Sequence, residues 1–230
     1  MMPANLAEQL PHLLTAANAE FLLGALARTL IMTVIGCTIG FVLGLGIAVL
    51  RRSRTPLLAP ARWLALLFVE TFRRLPFLVT LILALFATQR VAPELSLLGI
   101  ATIAVTLAAT AYLSEIIGAG IDAVPRAQVE GAEALNLTSW QVFWLVVLPQ
   151  SWRVILPPAA AFMVMFVKDT SLASHLGVVE LTFSGKILIN RGFSPVLGFG
   201  AVLILYFLIS WPLGRLAARL ETILAPSQRS

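Results

Sequence analysis

Three uncharged apolar runs dominate the pattern along the chain, at residues 29–50, 95–114 and 192–214. Each meets the roughly 18 residues that mark a candidate membrane-spanning helix. Two shorter runs, 75–89 and 154–167, stand beside charge, with Arg73 and Arg74 before the first and Arg153 and Lys168 around the second. The pattern predicts an all-α membrane protein with five transmembrane helices, forming one domain over residues 1–230. The first crossing, about 20–50, carries Gly36, Gly40 and Gly44 at four-residue spacing. Small residues on one face let helix backbones approach closely in lipid. A single helix from 57 to 89 would run about 50 Å, too long for a hydrocarbon core of about 30 Å. Residues 57–72 are therefore expected at the inner interface, with the second crossing starting near Leu75. The third, 95–121, is uniformly apolar until Glu115.

Composition closes off the soluble classes. The 230 residues are 59% hydrophobic and only 12% charged, with mean hydropathy +0.94. A water-soluble domain is about a quarter charged. Fourteen of the sixteen basic residues are Arg, yet they flank apolar runs and form no single basic face, so nucleic acid is not an expected partner. Arg51, Arg52, Arg54, Arg62, Arg73, Arg74, Arg126, Arg153, Arg215, Arg219 and Arg229 fall in segments of one sidedness; Arg28, Arg90, Lys168, Lys186 and Arg191 fall outside them. By the positive-inside rule the N-terminus is outside and the C-terminus cytoplasmic. Glu8 and Glu20 without a basic residue before Arg28 do not make the n-region of a cleaved signal peptide. Cys37 is the sole cysteine and lies inside an apolar run, so no internal disulfide is possible.

The segment between the third and fourth crossings is the most informative. Pro125 suits a helix start, Glu130 and Glu133 suit early turns, and Asn136 suits a C-terminal cap. A short cytoplasmic helix over about 126–138 is predicted, with small and apolar positions fit for a partner's groove. Its spacing, Glu130-Gly131-Ala132, then Asn136, Val146 and Leu148-Pro149, resembles the coupling-helix signature of bacterial ABC importer permeases. Gly131 and Asn136 stand where that signature carries Ala and Gly. Arg73-Arg74-Leu75-Pro76-Phe77-Leu78, Ala111-Tyr112-Leu113-Ser114-Glu115-Ile116 and Lys168-Asp169-Thr170-Ser171-Leu172-Ala173-Ser174 further resemble the permeases of polar amino-acid uptake. Gly118 stands where that family commonly carries Arg.

The resemblance implies a type I importer permease in the cell inner membrane. It pairs with a second permease subunit, identical or related, and with a dimer of cytoplasmic ABC ATPases. An extracytoplasmic solute-binding protein delivers the cargo. ATP would bind the partner subunit, leaving this chain without a cofactor, a metal or a catalytic residue. Glu130, Gly131, Ala132 and Asn136 would couple to the ATPase.

Counted from Arg153 at the inner interface, Lys168 lies about 22 Å along a helix. A charge there costs on the order of 3 kcal/mol unless it faces protein or water. Lys168, Asp169, Thr170 and Ser171, with Glu115, are thus the candidates for the substrate path, and a helix interruption is expected there. A structural ion pair is the competing role for the charged members. Thr170 and Ser171 suit transient contact with a zwitterion.

Enzyme chemistry is not expected. No P-loop is present, because Gly185-Lys186 is followed by Ile187 and Glu180 holds the required first glycine position. His12 and His175 form no zinc motif, and no Gly-x-Ser-x-Gly elbow accompanies His175. Two alternatives to polar amino acids remain: another small solute such as an opine or an osmolyte, or an ATP-independent channel or carrier.

Overall fold

A computed structural model describes residues 6–53 and 55–224; Arg54 and Arg229, which entered the charge bias, lie outside them. Every regular element among the described residues is helical. After α1 (Leu6–Leu13) comes α2 (Ala16–Arg52), 37 residues long. A 3₁₀ turn (Pro56–Leu58) leads into α3 (Ala59–Arg74), followed by α4 (Phe77–Val91), α5 (Leu97–Asp122) and α6 (Arg126–Ala134). A single turn, α7 (Ser139–Val142), passes through a π-helical turn (Phe143–Val147) into α8 (Leu148–Asp169). Then follow a 3₁₀ turn (Thr170–Leu176), α9 (Leu181–Asn190) and α10 (Pro195–Leu224).

Four helical stretches are long and apolar enough to cross a membrane: Ala16–Arg52, Leu97–Asp122, Ser139–Leu176 and Pro195–Leu224. α4 is apolar but has 15 residues, about 22 Å of helix. It is short because Pro76 sets its start. Pro76 drives Leu75 to an extended conformation, φ −81° and ψ 135°, so α3 ends at Arg74 where the sequence places the turn.

α2 and α5 make the most extensive helix pair, and glycine is the reason. A Cβ added at Gly40 would meet the Ala109 Cβ at 2.6 Å and the Thr110 backbone nitrogen at 3.0 Å. At Gly36 it would meet Val105 at 2.5 Å, and at Gly44 the Ser114 backbone nitrogen at 3.0 Å. The three glycines are one seam along which α5 lies against the α2 backbone. Around it Cys37, Leu113, Ile117, Ile155 and Phe166 form the main core, joining α8 to the pair. A second core sets Met32, Leu81 and Ile100 against Ala173 and Val178.

The expected interruption at Lys168–Ser171 takes another form. The chain does not break there; it tightens from α to 3₁₀ and stays helical to Leu176. The break falls at Gly177, which holds φ +87°, a conformation that costs glycine little. α9, between the fourth and fifth predicted crossings, has no counterpart in the apolar pattern.

Candidate functional site

Two places gather the sequence-predicted residues, and they lie apart. The first is α6. Asn136 has φ +57°; its N–H donates to the Glu133 carbonyl at 2.9 Å, and the Leu137 N–H donates to Ala132 at 3.4 Å. This is a Schellman closure with Asn136 just past the cap residue Leu135. Thr138 and Gln141 then form a capping box that starts α7.

Two expectations for α6 need correction. The helix spans nine residues from Arg126, so Glu130 sits mid-helix and Glu133 in the last turn, not in the early turns. Their charges do not cap its start. Ala132, expected on a docking face, is 6% exposed and packs with Val142 and Val147. It secures α6 to its own chain. Glu130 and Gly131 remain exposed, and a Cβ on Gly131 would meet nothing within 4 Å.

The second place surrounds Asp169. It is half-buried and lines a cavity of about 180 Å³ with Phe72, Phe77, Thr80, Tyr112 and Met165. The Thr80 hydroxyl oxygen is buried with no hydrogen-bond partner among the described residues. A carboxylate and an unmet hydroxyl between aromatic walls suit a small polar solute with a cationic group. Thr170 is fully buried, and its hydroxyl donates to the Val167 carbonyl at 2.7 Å, which occupies it within the helix. Ser171 is half-buried and Lys168 exposed. No ion pair joins Lys168 to Asp169 among the described residues.

Glu115 is not brought to that cavity. Its carboxylate pairs with Arg51 of α2 and, at 3.4 Å, with Arg73 of α3, tying three helices near one end of the bundle. Tyr112 adds a hydrogen bond from its hydroxyl to the Arg73 carbonyl at 3.0 Å. On α3 itself, a hydrogen bond from the Arg74 guanidinium holds the half-buried Glu70 carboxyl below the usual carboxylate range. Arg52 bonds both oxygens of Asp122 and lies over Gly118, where an added Cβ would come within 2.8 Å of its guanidinium.

Sequence reasoning missed Glu180. It is fully buried and accepts from the Thr182 and Phe183 N–H groups at 2.9 and 2.8 Å and from the Tyr206 hydroxyl at 3.0 Å. Nearby, the Thr29 hydroxyl oxygen accepts from the Leu181 N–H at 3.2 Å, and Arg28 donates to the Val179 carbonyl at 3.0 Å. A polar knot thus fastens the turn after Gly177 to α2 and α10. The available signal was an acid just ahead of an apolar helix, an N-cap pattern.

A helical bundle built on a glycine seam, with four stretches long and apolar enough to cross a membrane, has the form of a membrane component. Residues 36–230 match the binding-protein-dependent transport system inner membrane components, and the chain belongs to this family of ABC importer permeases. It is 33% identical over 211 residues to a probable amino-acid ABC transporter permease protein, YckA, of Bacillus subtilis, covering 92% of this chain and 90% of that protein. It is 32% identical to the nopaline transport system permease protein NocM of Agrobacterium fabrum, covering 91% and 90%. Among solved structures, an amino acid ABC transporter with histidines matches with TM-score 0.84 at 24% identity, over 96% of this chain and all of that one. That likeness establishes the shared fold.

Proposed function

We propose that this permease forms the translocation path for polar amino acids or closely related small solutes, using ATP hydrolysed by a separate ATPase pair. A solute-binding protein delivers the cargo, and a second permease subunit completes the path. The carrying observation is α6, a helix fastened to its own chain by Ala132 and the Asn136 closure while Glu130 and Gly131 stay uncovered. A short helix anchored on one side and bare on the other fits docking into a partner's cleft.

The single domain crosses the inner membrane five times, with α4 as the short second crossing continued by the interfacial α3. Arg51, Arg52 and Arg62 gather at the end of α2 that faces α6, and this basic bias supports a cytoplasmic position for that end. Glu221 of α10 is the reporter for the C-terminal side. In a Cys37→Ser background, Glu221→Cys should react with an impermeant maleimide only after the cytoplasmic side is opened. Labelling in intact cells would invert the topology.

The path is the cavity of Asp169 and Thr80, with Lys168, Thr170 and Ser171 on the adjoining turn. Asp169→Asn should lower uptake of a cationic or zwitterionic amino acid about tenfold, the effect of losing roughly 1.4 kcal/mol of binding. ATPase co-purification should stay normal. Unchanged uptake kinetics in proteoliposomes would remove Asp169 from the path. The similarity to a nopaline permease favours an opine as the second reading, and the same assay run with nopaline separates the two. An ATP-independent channel does not fit the family.

A further inference from the structure

At the end of α2 an open cavity of about 390 Å³ is lined by Arg51, Arg62, Trp63 and Leu66. Arg51 already pairs with Glu115. Arg62 spends a donor on the Ser53 carbonyl, which carries no net charge. No carboxylate lies within 4 Å of Arg62 among the described residues. Guanidinium has five N–H donors in a planar fork, so Arg62 keeps both charge and donors for a phosphate.

What borders the cavity is apolar. Trp63, Leu64 and Leu67 share one side of α3 and are 72%, 68% and 65% exposed; Leu57, just before, is 86% exposed. No described residue covers this strip, while Ala65 and Val69 on the opposite side of α3 are buried. An amphipathic helix with Arg and Trp at the end of a membrane bundle occupies the depth where headgroups meet acyl chains.

We propose that this cavity is a binding site for an anionic phospholipid, its phosphate on Arg62 and its acyl chains along Trp63, Leu64 and Leu67. Basic pockets between helices at a membrane surface select such headgroups. The continuous apolar strip is what distinguishes a lipid from a soluble phosphate, which has nothing to lay against it. An acidic protein surface is disfavoured for the same reason. The site rests on the reading that this end of α2 lies at a membrane surface, but not on the identity of the cargo.

The assembled transporter, purified into nanodiscs of phosphatidylcholine with phosphatidylglycerol, is read by native mass spectrometry for retained lipid. Wild type should retain phosphatidylglycerol over phosphatidylcholine, and excess inorganic phosphate should not displace it. Arg62→Gln should weaken retention about fivefold, the worth of one surface cation near 1 kcal/mol. Arg62→Lys should fall between, keeping charge without the fork. Trp63→Ala should also lose retention, whereas Arg74→Gln, whose charge Glu70 already meets, should not. Thermal melting of each variant reports whether it is folded. Equal retention by a folded Arg62→Gln protein overturns the site. Displacement by phosphate overturns it in favour of a soluble anion, and retention only when the ATPase is absent overturns it in favour of a protein partner. Uptake by the same samples is scored separately, so a transporter that works without holding phosphatidylglycerol sinks the lipid site alone.

Discussion

Gly40→Leu should abolish recovery of folded protein, and Gly40→Ala should lower its stability by roughly 1–3 kcal/mol, the usual cost of overpacking. The argument is distance. Even a methyl at Gly40 meets the Ala109 Cβ at 2.6 Å and backbone atoms at 3.0 and 3.1 Å. Backbone cannot rotate away as a long side chain does, so α2 and α5 must separate. Separation loosens the contact that seats Cys37, Leu113 and Ile117. In lipid no hydrophobic force pushes the helices back together, because association rests on packing itself. Gly46 on the same helix is the control. Its added Cβ meets nothing within 4 Å, so Gly46→Ala should leave stability unchanged or raise it through helix propensity. Thermal unfolding in detergent separates the two sites. Equal melting of Gly40→Ala and Gly46→Ala would show that the seam is looser than these distances.

That seam was legible before any fold was known, because four-residue spacing of glycines has one main use in a membrane helix. So was the turn at Leu75, since proline acts on its neighbour whatever the tertiary context. The cap at Asn136 was legible for the same local reason. What failed was local reasoning about side chains whose fate is decided at a distance. Glu115 read as a charge in the path because its partners, Arg51 and Arg73, stand 64 and 42 positions away in the chain and meet it only once α2 and α3 pack on α5. Ala132 read as a docking surface because nothing in a nine-residue helix says which side its own loop will cover. Asp169 stayed in view as a path candidate, but Thr80, its neighbour across the cavity, carried no charge to mark it. The position of the helix break was misjudged because two signals competed. Charge at Lys168–Asp169 pointed to an interruption, whereas the backbone obeys Gly177, the residue that can hold φ +87°.

Gly131→Trp should leave a folded, membrane-inserted permease that no longer supports uptake. The chain itself predicts tolerance, since an added Cβ at 131 meets nothing within 4 Å and the residue is exposed in mid-helix. Any large penalty must therefore come from outside the chain. If α6 seats in a cleft of an ATPase, an indole at its bare face blocks the approach, and buried positions of such interfaces are worth 2 kcal/mol or more, on the order of a thirtyfold loss. Glu130→Ala at the rim should cost less, because an exposed charge mainly tunes the rate and salt dependence of association. Ala132→Trp should behave differently again: Ala132 is buried among Val142 and Val147, so it should lower the melting temperature whether or not a partner exists. The contrast between 131 and 132 is the test. Thermal stability, ATPase co-purification and ATP-dependent uptake are measured for both variants beside wild type. Loss of co-purification and uptake at wild-type stability for Gly131→Trp identifies α6 as the coupling element. Full uptake and co-purification in that variant would mean that force enters the permease elsewhere.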